Sequence, residues 1–224
     1  MKVDRRIAIV AVCVIAASLA SCKKDVTAPV VARTYSVAAT AQVPAAPTAP
    51  VTISTNDPGS HVAATLSVAQ LQSIVTAAGG PVTIKMTDVG STDFSTLPAS
   101  VVATLKPNDV VIVFSTTLAS GATVSPSATA NISIPVSIQE TADQAAFPFV
   151  DVTFFQGTQA AGSLAELSSA SRGLPVLRQL SFAQLNNNLS GQLLSLLLTQ
   201  NNVNIHNYGV QINFVTASAS ASIR

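Results

Sequence analysis

The chain has 224 residues, 48% of them hydrophobic and 9% charged, which is enough apolar side chain for a packed core and excludes a disordered, highly charged segment. Eleven Lys and Arg against ten Asp and Glu exclude nucleic-acid binding and an acidic tail, because phosphate contacts demand a surplus of cations. Eight Phe, two Tyr and no Trp leave little for recognition by aromatic stacking.

In chain order, the first segment is a targeting signal. Lys2, Arg5 and Arg6 form a basic start, and Ile7 to Ala20 is an apolar run too short to span a bilayer comfortably. The run ends in Leu19-Ala20-Ser21-Cys22, which resembles the lipobox of bacterial lipoproteins. The resemblance covers about the first 22 residues; the rest of the chain resembles no family. It implies cleavage before Cys22, diacylation of the Cys22 thiol and acylation of the new N-terminus, so residues 1–21 are a signal peptide and the partner is a membrane reached through lipid. Each buried methylene contributes about 0.8 kcal/mol, so two or three chains anchor durably where one would be marginal. Cys13 leaves with the signal, and no thiol remains for a disulfide, a metal or a nucleophile. Lys23 and Lys24 stand where an Asp would resemble an inner-membrane retention signal, which favours the outer membrane, facing either the periplasm or the surface.

Residues 22–60 read as the lipidated N-terminus and a tether rich in Pro and Ala. Pro44, Pro47 and Pro50 are spaced for polyproline II, although Val51-Thr52-Ile53-Ser54 alternates as a short strand would. The globular domain is expected over 61–224, its start falling between residues 50 and 62.

Within it, Ser67 and Gln70 form an S-x-x-Q capping box before Leu71, Ile74 and Val75, predicting a helix over 68–78 that stops at Gly79-Gly80-Pro81. Val82, Ile84 and Met86 alternate with polar residues, and Val110 to Phe114 is apolar on both faces, the mark of a central strand. From Ala122 to Gln139 the alternation continues as one long strand or two collinear ones, with Pro126 and Pro135 predicting an edge or bends. Phe147 to Phe155 is another strand, and Gly157 to Gly173 reads as a loop or weak helix. The hexad Leu66 to Leu71 recurs as Leu180 to Leu185, and Phe182, Leu185, Leu189, Leu193, Leu196 and Leu197 predict a second helix over 182–200. Tyr208 to Phe214 alternates, then parity changes at Val215, predicting a bulge. The fold class is α+β, mainly antiparallel β, as a sandwich or curved sheet of about five or six strands with two helices.

Side chains for chemistry are few. After cleavage there are two histidines, His61 and His206, and no HExxH, GxSxG, P-loop, GxGxxG or SxxK motif. Asp88 and Asp93 bracket a Gly-containing loop whose spacing fits no EF-hand, and they read as turn residues. Glu140 and Asp143 form a pair of carboxylates after a strand, and read as loop charges. Asn131-Ile132-Ser133 matches a glycosylation sequon inside a strand and is set aside. No catalytic, cofactor or metal residue is assigned; the one modified residue is Cys22. The expectation is a non-catalytic envelope lipoprotein, a binding or structural module. The alternative is a carrier of lipid or another apolar ligand, motivated by the leucines at 193–198. A membrane-inserting hairpin lacks aromatic girdles, and an enzyme lacks a residue set.

Overall fold

The computed structural model describes residues 34–55, 57, 60, 62–141, 143–157, 164–175, 177–179 and 193–216. The strands are β1 (Val37–Val43), β2 (Val51–Ser54), β3 (Val62–Leu66), β4 (Val82–Asp88), β5 (Val110–Leu118), β6 (Thr129–Gln139), β7 (Phe149–Gly157), β8 (Leu164–Pro175), β9 (Leu177–Gln179), β10 (Leu193–Asn204) and β11 (Asn207–Val215). The helices are α1 (Val68–Ala78) and the short α2 (Ala99–Thr104), with 3-10 segments at Ser91–Thr96 and Gln144–Ala146.

The strands form two antiparallel sheets, ordered β1-β4-β5-β11-β7-β8 and β2-β3-β6-β10-β9. One apolar core unites them. Ile84, Met86, Ile112, Phe114, Val152, Phe154, Val210 and Phe214 come from the first sheet, and Ile53, Ala64, Ile132, Ile134, Val136, Leu194, Leu196 and Leu198 from the second. The fold is thus a two-layer sandwich, and period-two alternation gives each strand its core face. Phe114 and Tyr208 stack within the core, with centroids 5.2 Å apart and planes 14° off parallel. A smaller cluster of Val89, Leu97, Val101, Val111 and Phe155 lies on the outer face of the six-stranded sheet, under the 3-10 turn and α2. Its presence explains why β5 and β7 are apolar on both faces.

The helix at 68–78 has the predicted bounds. The Ser67 hydroxyl accepts from the Gln70 amide at 3.2 Å, and Gly79 closes the helix at φ 78°, which glycine adopts without strain. The other half of the capping box is absent. The Gln70 side chain instead reaches β6, where its Nε2 donates to the Asn131 carbonyl at 2.9 Å and its Oε1 accepts from the Ser133 amide at 2.6 Å. Gln70 thereby completes a ladder: β3 pairs with β6 only from Val62↔Ile138 to Ala64↔Val136, and the glutamine amide serves the next stretch of β6 as a strand backbone would.

The same gap accounts for Pro135. An edge position or a bend was expected there; the edge is ruled out, since β6 lies between β3 and β10. The Ser133 amide and Asn131 carbonyl point to the β3 side, so Pro135, two residues on, directs its missing donor to that side too. It does so one residue beyond the last β3 pair, where no ladder bond is lost. Pro126 lies before β6, outside any strand.

The expected helix over 182–200 is corrected at its C-terminal half. Residues 193–200 belong to β10, with Leu194, Leu196 and Leu198 buried and Ser195, Leu197 and Thr199 turned outward. Five leucines in six positions satisfy a period of two as readily as 3.6, and pairing with β6 from Leu193↔Gln139 to Gln200↔Ile132 selects the strand. Residues 182–192, and the second hexad, lie outside the described residues. Two further strands fall within the stretch read as tether: β1 pairs with all of β4, and β2 with β3. β2 is the alternating stretch Val51-Thr52-Ile53-Ser54, whereas in β1 the Ala and Thr content conceals the alternation, since Ala38, Thr40 and Gln42 face out while Ala39, Ala41 and Val43 pack on the core. The stretch 157–173, expected as a loop or a weak helix around Leu164 to Leu167, holds most of β8, which runs on to Pro175 and pairs with β7 with two register shifts. The bulge expected after Phe214 falls at the limit of the described residues.

Candidate functional site

Two concave regions on the six-stranded sheet carry polar groups that could meet a ligand. The first is a cleft of about 500 Å³ at one end of the sandwich, lined by Lys106, Pro107, Asn108, Phe147, Phe214, Val215 and Thr216. It forms because the starts of β5 and β7 and the end of β11 lie side by side, β11 being the middle strand of the three. The rings of Phe147 and Phe214 meet at 6.5 Å with planes 59° apart, the edge-tilted arrangement that aromatic quadrupoles favour. Phe214 is buried and belongs to the core, whereas Phe147 is half-buried and Lys106 is exposed at the rim.

Behind this cleft runs a thread of polar side chains. The Thr104 hydroxyl donates to Gln211 Oε1 at 3.1 Å, and Gln211 Nε2 donates to Asp109 Oδ2 at 3.2 Å. The same carboxylate oxygen accepts from the Lys106 backbone amide at 2.8 Å. Burial pushes the Asp109 carboxyl above its ordinary pKa, against the opposing pull of these donors and of the Phe214 amide. Gln211 is fully buried on the outer face of β11, so the thread anchors α2 and the loop after it to the sheet. None of these residues stood out in the sequence, because Gln211 sits in an alternating strand and its partners lie about a hundred positions away.

The second region is a groove of about 450 Å³ across the outer face of β1, β4 and β5, lined among others by Ser36, Lys85, Thr87, Asp93, Ser115 and Asn207. Lys85 is exposed, and the Asp93 carboxylate is engaged by the Ser36 hydroxyl, which also accepts from the Gly90 amide at 3.0 Å. The groove is polar and open.

The residues weighed for chemistry are dispersed. Asp88 ends β4 and is buried, its Oδ2 accepting from Ser60 Oγ at 2.6 Å; Ser60 Oγ lies 2.7 Å from Thr55 Oγ1. Asp88 and Asp93 therefore bind different hydroxyls, Ser60 and Ser36, and each ties the N-terminal strands to the 88–93 loop. Glu140 is buried at the end of β6 and Asp143 is exposed. His206 occupies the β10–β11 turn, where its amide donates to Asn204 Oδ1 at 3.0 Å and its carbonyl accepts from the Thr116 amide at 3.1 Å. Both bonds use its backbone, as those of a turn residue do. Asn131 uses its side-chain oxygen to accept from the Asn202 amide at 3.1 Å. His61 and Cys22 lie outside the described residues. Among the described residues no group of three or more His, Cys, Asp or Glu side chains could hold a metal ion, and no helix is long and apolar enough to cross a membrane.

No protein-family model, curated protein or solved structure matches this chain.

Proposed function

We propose that this chain is a bacterial envelope lipoprotein whose β-sandwich is a non-catalytic binding or structural module. The observation that carries the reading is the N-terminal signal: Lys2, Arg5 and Arg6, the run Ile7 to Ala20, and Leu19-Ala20-Ser21-Cys22 at its end. Lipid on Cys22 holds the protein to a membrane, and Lys23-Lys24 after it directs the protein to the outer membrane. The sandwich supports a non-catalytic role through what its polar side chains do. Asp88, Asp93, Gln211 and Asp109 are spent on hydrogen bonds that hold strands and loops together.

The test is fatty-acid labelling of cells expressing the wild type or Cys22→Ala, followed by membrane fractionation. Label on the wild type and none on the variant is the expected result, with the variant also released from the membrane fraction. Equal labelling of both, or none of either, refutes the anchor.

A carrier of an apolar ligand is a second reading, now motivated by the end cleft with its two Phe rings rather than by a leucine-rich helix. Its 500 Å³ falls within the roughly 300–1,000 Å³ of small-molecule sites. Native mass spectrometry of the purified chain decides it: a co-purifying ligand lost in Phe147→Ala supports the carrier, and its repeated absence removes it.

A further inference from the structure

Among the described residues, four strands lie at sheet edges: β1 and β8 in the larger sheet, β2 and β9 in the smaller. An open edge presents unpaired N–H and C=O groups to any other strand, and proteins blunt such edges by shortness, charge, proline or bulges. Three of these four are blunted. β2 has four residues and β9 three, while β8 has two register shifts, contains Glu166 and Arg172, and ends in Pro175. β1 has none of these devices. It runs seven residues in unbroken register with β4, and no charged residue occurs from Thr34 to Asn56.

The direction of its free groups follows from the ladder. The Val89 amide donates to the Val111 carbonyl and the Ala119 amide to the Pro81 carbonyl, so odd-numbered residues of β4 turn their backbone groups to β5 and even-numbered ones to β1. The β1 partners of the even residues are Val37, Ala39, Ala41 and Val43. Ala38, Thr40 and Gln42 therefore direct three N–H and three C=O groups outward.

The strand reads Val-Ala-Ala-Thr-Ala-Gln-Val, close to a palindrome about Thr40. We propose that β1 is a self-association edge, at which two copies of this chain join their six-stranded sheets by antiparallel pairing about a twofold axis through Thr40. This register sets Ala38 opposite Gln42 of the second copy and Thr40 opposite its own equivalent, so that the outward groups of both copies are all satisfied, in six hydrogen bonds. A shift of the axis by one residue toward the C-terminus faces Ala38 with Pro44, which has no donor. On the core side, Val37 meets Val43 and Ala39 meets Ala41, and the half-buried Ala39 and Ala41 gain the neighbour that an edge position denies them. Thr against Thr on the outer face is a favourable cross-strand pair. Such a contact is isologous, and it closes at two copies because it consumes the edge.

The test uses the full chain carrying Cys13→Ala and Cys22→Ala, so that an introduced thiol is the sole one. Thr40→Cys places two thiols on Cα atoms about 5.5 Å apart, within disulfide reach. Ala38→Cys places them about four residues apart along the strand, roughly 13 Å, which is beyond it. Mild oxidation is expected to dimerise Thr40→Cys at least about tenfold faster than Ala38→Cys, and to crosslink a mixture of Ala38→Cys and Gln42→Cys chains. Thr40→Cys that remains monomeric, or crosslinks no faster than Ala38→Cys, overturns the register and the proposal. By sedimentation, Thr40→Asp is expected to weaken the dimer at least about tenfold, since two carboxylates meet on the axis. In a single copy the new carboxylate faces Lys85 across β4, so the variant keeps its fold. A wild type that sediments as a monomer, or a dimer unaffected by Thr40→Asp, equally refutes it.

Discussion

Gln70→Ala tests whether a side chain can replace a missing strand. The amide of Gln70 makes two hydrogen bonds to the backbone of β6, at 2.9 Å to the Asn131 carbonyl and 2.6 Å from the Ser133 amide, and the residue is only 6% exposed. A hydrogen bond contributes about 0.5–1.5 kcal/mol net, so the pair is worth about 1–3 kcal/mol. Alanine is a slightly better helix former than glutamine, which returns a few tenths of a kcal/mol. Water enters next to the exposed side chains of Asn131 and Ser133 and recovers part of the loss. The expected destabilisation is about 1.5 kcal/mol, or a fall in melting temperature of roughly 3–6 °C for a domain of this size. Urea unfolding measures the first quantity and calorimetry the second. Hydrogen exchange at the Ser133 amide supplies a local readout, expected to rise in Gln70→Ala and to stay unchanged in Gln72→Ala, an exposed position on the same helix. If Gln70→Ala unfolds within about 0.5 kcal/mol of the wild type, as an ordinary surface substitution would, the ladder argument is wrong.

Two further outcomes follow from packing and charge. A Cβ at Gly209 would lie 2.4 Å from Cε2 and Cζ of the Phe155 ring and 2.8 Å from the Ile112 carbonyl oxygen, so Gly209→Ala should cost about 1–3 kcal/mol in urea unfolding. Combined with Phe155→Leu it should cost less than the sum of the two single changes, and strict additivity would show that the ring is not the obstacle. For Asp109, a carboxyl whose folded pKa lies above its unfolded value binds protons more readily when folded, so its contribution to stability falls as pH rises from the ordinary carboxylate range through the raised value. Asp109→Asn should flatten that decline in a pH series of unfolding midpoints, and an unchanged slope would contradict the burial argument.

Several strands and α1 were legible where local and global signals agreed. Ser67 and Gly79 bracket α1 in the sequence as in the fold, and Ile112 and Phe114 announce a strand buried on both faces. The leucines at 193–198 misled because a run so dense in one residue has no period, and only the β6 partner at 132–139 chooses between helix and strand. β1 was hidden by alanine, which is apolar enough for the inner face and small enough for the outer, so that its alternation leaves little trace in hydropathy. Of the end cleft, Phe214 was legible as a strand residue, whereas Phe147, read as the start of a strand, precedes β7 by two residues; the two rings, 67 positions apart, become neighbours only through the β7–β11 register. Gln211 and Asp109 carried no local signal, because a buried glutamine in a strand looks like any other outward-facing polar residue until α2 is placed over it.

The place of β11 sets a timetable for the molecule. The last described strand of the chain lies in the middle of the six-stranded sheet, hydrogen-bonded to β5 on one side and β7 on the other. During synthesis from the N-terminus, β1, β4 and β5 can form one half of that sheet and β7 with β8 another, but the halves have no common edge until residues 207–215 arrive. The sheet cannot close around its core earlier, and pairings between strands so distant in sequence are slow to form. A sheet whose middle strand is made after the strands on both of its sides stays open until that strand emerges, and its inner faces wait unpaired for residues 207–215.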